Sequence, residues 1–160
     1  MRHSSAADLD DADRRLLALL QADGRASYTD LSTQVGLSAP AVKQRVQRLI
    51  GDGVLQVVGV SDPQALGFEV SAMVGVVTRG DLRAVADRIA AIPHVIYLVL
   101  TSGEHDLLVE VVCRDQDELL GVVNDRIRAV EGVVETRVWQ YFGVHTHRFT
   151  WGLPTEDLGT

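Results

Sequence analysis

The sequence predicts an α+β protein in two parts: a small helical domain of winged helix-turn-helix type, then a larger ferredoxin-like βαββαβ domain. Three observations predict this fold. Apolar residues recur at helical spacing near the N-terminus, and a strand–helix–strand unit occurs twice further along the chain. The charge is also divided unevenly, because residues 1–60 carry seven basic and seven acidic groups, whereas residues 61–160 hold the whole formal net charge of −7.

The composition is that of a globular protein rather than a disordered or fibrous one. The chain has 160 residues, of which 46% are hydrophobic and 23% charged. The longest apolar run, Val95–Leu100, is far shorter than the ~20 residues that a membrane helix needs. Met1–Asp8 lacks the apolar segment of a signal peptide. The single cysteine, Cys113, cannot form an internal disulfide, so we expect a cytoplasmic protein without a membrane partner.

The first two helices are predicted by their caps and their leucines. An acidic start at residues 10–13 precedes the leucines of a helix over about residues 10–23, and carboxylates in a first turn interact favourably with the helix dipole. Ser27-x-x-Asp30 resembles a capping box, followed by Leu31 and Val35 one turn apart, and Gly36 ends this short second helix.

The third helix begins at Ser38, a favourable N-cap residue, and tolerates Pro40 in its first turn. Val42, Val46 and Leu49 then form one apolar stripe at helical spacing. A short helix, a turn containing glycine and a longer helix together match the helix-turn-helix pattern.

If that stripe faces inward, Gln44 and Gln47 face outward between cationic neighbours. Glutamine can contact adenine bidentately, and lysine or arginine can contact guanine or phosphate. Arg45 lies near the edge of the stripe, which favours either a phosphate contact or a structural hydrogen bond. The alternative is a three-helix core whose outer face is merely solvated. The candidate DNA-contacting residues are Arg25, Ser38, Ala39, Pro40, Lys43, Gln44, Arg45, Gln47 and Arg48.

The segment Gly53–Val60 is rich in β-branched residues and predicts a strand that closes the helical domain. Ser61-Asp62-Pro63 predicts a turn. We therefore expect these boundaries: a flexible N-terminus at 1–8, a DNA-binding domain at 9–60, a linker at 61–67, the βαββαβ domain at 68–153 and a C-terminal tail at 154–160.

The duplication lies in the second domain. Val74-x-Val76-Val77-x-Arg79 recurs as Val109-x-Val111-Val112-x-Arg114, and Asp87-Arg88-Ile89 recurs as Asp125-Arg126-Ile127. Two tandem βαβ units indicate four antiparallel strands with two helices on one face. The second face of such a sheet is open and rich in valine, which predicts self-association.

The polar segment from Thr101 to Asp106 joins the two copies. It predicts either a plain hairpin or a small-ligand site, in which backbone N–H groups bind a carboxylate and Asp106 binds an ammonium group. From the residues alone, the plain hairpin is the stronger interpretation.

No catalytic or metal signature stands out. The sequence has no nucleophile elbow, phosphate-binding loop or zinc-protease motif. His145 and His147 alternate on a predicted strand and fit a metal ion with His105 or Glu104, but such pairs are more often solvated, so we expect neither metal nor cofactor. Cys113 lies within a valine-rich strand, where an inert thiol is expected.

Several short motifs occur in one order along residues 9–153. Together they resemble the Lrp/AsnC, or feast/famine, family of transcription regulators, and Gly103-x-x-Asp106 resembles that family's ligand-loop motif. The other motifs are Leu9-Asp10-x-x-Asp13, Gly24-Arg25-x-Ser27, Val35-Gly36-Leu37-Ser38, Val42-x-x-Arg45-Val46-x-x-Leu49, Gly53-Val54-Leu55 and Asp62-Pro63-x-x-Leu66-Gly67.

The resemblance implies binding of double-stranded DNA by a homodimer that pairs through its sheets and assembles into tetramers, octamers or larger rings. It also implies a small effector, usually an amino acid, bound between dimers in an effector-binding domain. Two positions depart from the family pattern: His105 replaces a usual tyrosine, and Arg137 replaces a frequent small hydroxyl residue. The implied effector-binding residues are Thr101, Ser102, Gly103, Glu104, His105, Asp106, Glu135 and Thr136.

A DNA-binding transcription regulator is therefore the leading hypothesis, either with an amino-acid effector or without a ligand. One alternative is a tetrapyrrole decarboxylase on the same fold, for which His145, His147 and Arg148 are the candidates. Another is a ligand-binding module with a vestigial helix-turn-helix, against which the intact Ser38 cap and Pro40 argue.

Overall fold

The computed structural model describes residues 8–146, which form two compact units that divide between Val60 and Ser61. Each unit has a hydrophobic core of its own. We call residues 8–60 the helical unit and residues 61–146 the sheet unit.

The helical unit contains three helices, α1 (Asp11–Ala22), α2 (Tyr28–Val35) and α3 (Ala39–Gly51). Each begins at a side-chain cap, supplied by Asp10, Ser27 and Ser38 respectively. Gly36 ends α2 in the left-handed conformation at φ 70°. The fully buried core residues come from all three helices and include Leu16, Leu31, Val42 and Leu49. The predicted helix-turn-helix is confirmed.

The strand predicted over Gly53–Val60 is wrong. Leu55 is buried in the helical core, but Val57, Val58 and Val60 are exposed, and the segment after α3 has no regular secondary structure. A strand needs a neighbour for its backbone N–H and C=O groups. The described part of the helical unit contains no other strand, so β-propensity alone does not produce one here.

The sheet unit is built from four strands: β1 (Val70–Thr78), β2 (Val95–Leu100), β3 (Leu107–Cys113) and β4 (Val133–Tyr141). A 3-10 turn at Gln64–Leu66 precedes β1, and α4 (Leu82–Ala90) connects β1 to β2. The helix after β3 runs as α5 (Gln116–Gly121) and continues as a π-helix at Val122–Ile127. The order β2-β3-β1-β4 with antiparallel neighbours confirms the predicted βαββαβ sandwich.

The sheet has two different faces because successive side chains alternate along a strand. On β1, Ala72, Val74 and Val76 are fully buried and pack with core residues of the helices such as Ile89 and Ile127. We call the opposite side the open face. On the open face, Met73 of β1 lies between Trp139 of β4 and Glu110 of β3. Glu110 in turn lies beside Tyr97 of β2.

Candidate nucleic-acid interface and effector site

The outward side of α3 carries the candidate base-contacting residues. Val42, Val46 and Leu49 are buried, whereas Lys43, Gln44 and Gln47 are exposed on the other side. The helix begins where Ser38 Oγ accepts a hydrogen bond from the Ala41 amide at 3.4 Å, with Pro40 in its first turn. A rigid start and an apolar underside therefore present two amides and one cation away from the core.

Arg25 and Ala39 occupy different settings from these side chains. Arg25 is exposed in the loop between α1 and α2, where its backbone N–H donates to Asp23 Oδ1 at 2.9 Å. Ala39 is the half-buried first residue of α3, and its methyl group can offer only an apolar contact.

Arg45 and Arg48 are bound to carboxylates of α1. Arg45 Nη1 donates to Asp10 Oδ2 at 2.6 Å and to Asp13 Oδ1 at 2.9 Å. Arg48 Nη2 donates to Asp13 Oδ2 at 2.5 Å. The structural hydrogen bond considered for Arg45 is therefore present, and Arg48, a candidate DNA-contacting residue, also lies in an ion pair. We call these four residues the Asp–Arg cluster.

The sequence did not predict the part that Asp13 plays in holding Arg45 and Arg48. The Asp13 side chain is only 1% exposed, and it forms a capping box with Asp10 at the start of α1. The Asp13 amide donates to Asp10 Oδ1 at 2.8 Å, while the Asp10 amide donates to Asp13 Oδ2 at 3.4 Å. One signal in the sequence could have indicated these ion pairs. The acidic residues Asp10 and Asp13 have the same three-residue spacing as the basic residues Arg45 and Arg48.

The cluster favours the charged forms of Asp10, Arg45 and Arg48. The hydrogen bond from the Asp13 amide and then that from Arg45 lower the pKa of Asp10. Hydrogen bonds to Asp10 and Asp13 raise the pKa of Arg45, and the bond to Asp13 raises the pKa of Arg48. Two guanidinium groups and two carboxylates therefore sum to no net charge.

The hairpin between β2 and β3 uses its acidic residue to hold the fold together. Asp106 Oδ2 accepts from the Thr78 amide at 2.6 Å and from Thr78 Oγ1 at 3.1 Å. The Asp106 amide donates to the Val76 carbonyl at 2.9 Å, and the Thr101 amide donates to the Asp106 carbonyl at 2.8 Å. The Thr101 hydroxyl also donates to the His105 carbonyl. Of the expected ligand-contacting residues, Ser102, Gly103 and Glu104 stay exposed.

His105 lies flat against β1 rather than pointing into solvent. It is 9% exposed and packs edge-to-face on Trp139, with ring centroids 5.3 Å apart and an angle of 83° between the rings. The imidazole occupies the space above Gly75, where a Cβ atom would come within 2.5 Å of His105 Cδ2. A glycine at this position of the open face is therefore what lets the hairpin fold back over the sheet.

Glu104 and Arg137 connect the hairpin to β4. Arg137 Nη1 donates to Glu104 Oε1 at 2.6 Å, and Arg137 Nη2 lies 3.8 Å from Glu135 Oε1. The Glu104 and Arg137 side chains remain 68% and 54% exposed, so both charges can also reach a ligand. Arg137 thus lies between Glu104 of the hairpin and Glu135 of its own strand.

Thr136 does not join them. The register pairs Glu135 with Val77 and Thr136 with Val76, so the two neighbours lie on opposite faces of the sheet. Thr136 Oγ1 accepts from Arg128 Nε at 2.7 Å on the helix-bearing side. The structure therefore does not bring Thr136 together with the hairpin residues, because side chains alternate along a strand.

The remaining reactive groups are held in unreactive settings. Burial raises the pKa of the Cys113 thiol to about 11, so it stays protonated at neutral pH. Burial, and then a hydrogen bond to Glu110, raise the pKa of Tyr141 to about 12.

Within residues 8–146 no group of three or more His, Cys, Asp and Glu side chains is placed to hold a metal ion. His145 is exposed, and His147 and Arg148 lie outside the described residues. No helix in the described range is both long and apolar enough to cross a bilayer.

Two family models match the chain. An AsnC-type helix-turn-helix domain matches residues 9–50, and an Lrp/AsnC ligand binding domain matches residues 71–141. The first match spans α1 to α3, and the second spans the four strands with α4 and α5.

Similar proteins carry the same two parts. An uncharacterized HTH-type transcriptional regulator of Pyrococcus abyssi is 32% identical over 136 residues, covering 84% of this chain and 86% of the relative. The leucine response regulatory protein of Mycobacterium tuberculosis superposes with a TM-score of 0.80 at 30% identity, covering 91% and 100% of the two chains. The Neisseria meningitidis regulator NMB0573, solved as its L-Met complex, superposes with a TM-score of 0.81 at 25% identity, covering 91% and 97%.

The names of these relatives decide between the competing hypotheses. They are transcriptional regulators, not enzymes, and so they favour a regulator over a tetrapyrrole decarboxylase. The family match also includes the helix-turn-helix itself, which is intact in the structure with its Ser38 cap.

Proposed function

Because this chain belongs to the Lrp/AsnC family of transcriptional regulators, we propose that it binds duplex DNA by inserting α3 into the major groove. It is a DNA-binding regulator with a small-molecule effector domain. The observation that carries the proposed mode of binding is the projecting pair Gln44 and Gln47, which stand exposed on a helix whose other side is the domain core.

The proposed division of labour on α3 follows from its side chains. Gln44 and Gln47 have the donor and acceptor pattern that matches the major-groove edge of adenine. Lys43 and, outside α3, Arg25 contact phosphates and supply the salt-dependent part of the affinity. Ser38, Ala39 and Pro40 form the start of α3, which approaches the sugar-phosphate backbone of the DNA. Arg45 and Arg48 contribute to DNA affinity only when their ion pairs with Asp10 and Asp13 open.

The effector that fits the hairpin region best is an amino acid. Glu104 and Arg137 offer one charge of each sign at an exposed surface, which complements the ammonium and carboxylate of a zwitterion. The L-Met complex of the Neisseria regulator supports the same class of ligand. In this proposal Ser102, Gly103, Glu104 and Glu135 face the ligand, whereas Asp106, Thr101 and His105 hold the hairpin in place.

Dimerisation through the open face is part of the proposal. Tyr97 and Trp139 are 53% and 44% exposed there, and a sheet face bearing such residues requires a cover. A two-fold dimer would present two copies of α3 to half-sites about one helical turn, or a multiple of it, apart. Assembly beyond the dimer and a cytoplasmic location belong to the same proposal, with residues 9–60, 61–67 and 68–153 as DNA-binding domain, linker and effector domain.

The experiment is a gel-shift titration of the full chain on a duplex selected from genomic fragments and on a scrambled duplex. We expect Gln44→Ala to weaken binding to the selected site by about 1–3 kcal/mol while leaving the scrambled duplex nearly unaffected. Lys43→Ala should weaken both duplexes alike and reduce the salt slope by about 1. Equal losses on both duplexes for Gln44→Ala would contradict base contact by α3.

The effector part has its own test. Isothermal titration with L-methionine, L-leucine and L-asparagine should detect binding of at least one amino acid to the wild-type chain. Arg137→Ala should weaken that binding at least tenfold, because the carboxylate of the ligand loses its cation. If the affinity is the same in Arg137→Ala, the ligand does not use this charge pair.

A further inference from the structure

Asp10 lies beside α3, the helix proposed to enter DNA, although its charge has the same sign as a phosphate. Its carboxylate is 53% exposed, and with Gln44, Arg45 and Arg48 it lines one shallow concavity of about 490 Å³. A carboxylate in that place repels DNA phosphates, so its presence there calls for an explanation.

The two carboxylates of the Asp–Arg cluster differ in burial and in partners. Asp13 is 1% exposed and receives both arginines, so it is a structural member of the core. Asp10 needs only one of its oxygens for the helix cap, since Oδ1 accepts from the Asp13 amide at 2.8 Å. Its other oxygen, Oδ2, accepts from Arg45 at 2.6 Å at the surface.

We propose that Asp10 is a specificity-determining residue that occupies Arg45 and so withholds this guanidinium group from phosphates. Arg45 is 30% exposed, so a phosphate entering the concavity competes with Asp10 for the same Nη1 atom. Contact of that phosphate with Nη1 requires the Asp10–Arg45 bond to break, and any phosphate contact with Arg45 places the Asp10 carboxylate beside DNA. Binding that depends on phosphates alone is therefore weakened, and discrimination rests on Gln44 and Gln47.

This inference rests on the proposed use of α3 as the DNA-binding helix. In addition, Asp10, which lies next to α3, sets the ratio of specific to non-specific DNA affinity. Each further phosphate that a cation neutralises steepens the dependence of log K on log salt by about 0.9. Freeing Arg45 from Asp10 therefore has a measurable signature that is separate from any loss of folding.

The test uses the full chain with Asp10→Asn. Asparagine is an equally good N-cap, so the hydrogen bond from the Asp13 amide is retained while the charge that holds Arg45 is removed. Asp11→Asn is the matched control, because Asp11 is exposed in the same first turn and has no arginine partner among the described residues. Asp10→Ser, a second capping variant, replaces Asp10→Asn if the latter unfolds at a lower temperature.

Fluorescence anisotropy on a scrambled duplex across several salt concentrations gives the result. We expect the salt slope of Asp10→Asn to be steeper than that of the wild type by about 0.9 per DNA-bound subunit, and that of Asp11→Asn to be unchanged. In an Arg45→Gln background, Asp10→Asn should produce no steepening. The ratio of selected-site to scrambled affinity should fall for Asp10→Asn.

Three results would overturn the inference. An unchanged slope for folded Asp10→Asn would show that Arg45 is not withheld from phosphates. Equal steepening in Asp11→Asn would show a general charge effect instead of the pairing with Arg45. A wild-type chain without affinity for any duplex would reject the DNA-binding proposal itself, and this failure is visible in the wild-type titration alone.

Discussion

The outward side of α3 in the helical unit and the hairpin of the sheet unit differ in how the fold uses their polar side chains. On α3, Gln44 and Gln47 point away from the fold, and the structure leaves them exposed. In the hairpin of the sheet unit, Asp106 is bound to Thr78 and His105 is buried against Trp139. Helical periodicity therefore identifies the outward side chains of a helix directly. The residue types of a hairpin do not show which of its polar side chains are bound or buried within the fold.

The largest effect that tests this comparison is expected at Asp13. Asp13→Ala should lower the free energy of unfolding of the helical unit by about 1.5–3 kcal/mol, because it removes a buried carboxylate that accepts hydrogen bonds from two partly exposed arginines. Chemical denaturation followed by far-UV circular dichroism measures it. Asp11→Ala, at an exposed position of the same turn, should change the value by less than about 0.5 kcal/mol. Similar values for the two variants would contradict a structural role of the Asp–Arg cluster.

The next largest effect is expected at Gly75 in the sheet unit. Gly75→Ala places a methyl group against the imidazole of His105 and should cost about 1–3 kcal/mol of stability. Adding His105→Ala should recover part of that loss, since the ring that clashes is then gone. Thermal unfolding of the single and double variants measures the coupling. Gly143→Ala is the control and should be nearly neutral, because the added Cβ meets no atom of residues 8–146 within 4 Å apart from the adjacent residues.

Asp13 and Gly75 also show which structural features can be predicted from the sequence and which cannot. The helices, their caps and the duplicated βαβ unit were predictable because each depends on local periodicity and on residues a few positions apart. The burial of Asp13 was not predicted, because it depends on two arginines more than thirty positions away that pack against it. The position of His105 likewise depends on a glycine in another strand.

The strand expected over Gly53–Val60 followed β-propensity, which describes how well a side chain suits a sheet and does not supply the neighbouring strand. Correcting it needed the structure. The placement of Thr136 and Glu135 on opposite faces, by contrast, follows from the alternation of side chains, which the sequence already contained once β4 was assigned. Contact of Thr136 with an effector bound between dimers stays a prediction.

A smaller effect is expected at Ser38. Ser38→Ala removes the side-chain acceptor for the Ala41 amide and should cost about 1 kcal/mol, at the start of the helix proposed to enter DNA. Because a frayed helix start moves Gln44 little but disturbs the backbone near phosphates, affinity for all duplexes should fall together. Ser27→Ala, which removes the cap of α2, is the control and should lower stability without the same loss of DNA affinity.

The smallest stability effect is expected at Glu104. Both members of its pair with Arg137 are more than half exposed, and such ion pairs contribute roughly 0–1 kcal/mol. Glu104→Gln should therefore unfold close to the wild-type temperature in differential scanning calorimetry, yet bind the proposed amino-acid effector more weakly. A large drop in unfolding temperature would mean that Glu104 holds the hairpin as Asp106 does, and the contrast drawn between the two residues would be wrong.

The central claim is that the exposed amides of α3 contact base edges. In vitro selection of binding sites from a random duplex library, performed in parallel with the wild type and Gln44→Ala, tests it most directly. We expect Gln44→Ala to lose the base preference at one base-pair position of each half-site and to retain both the preferences at the other positions and the half-site spacing. Identical base preferences at every position for the two proteins would contradict it.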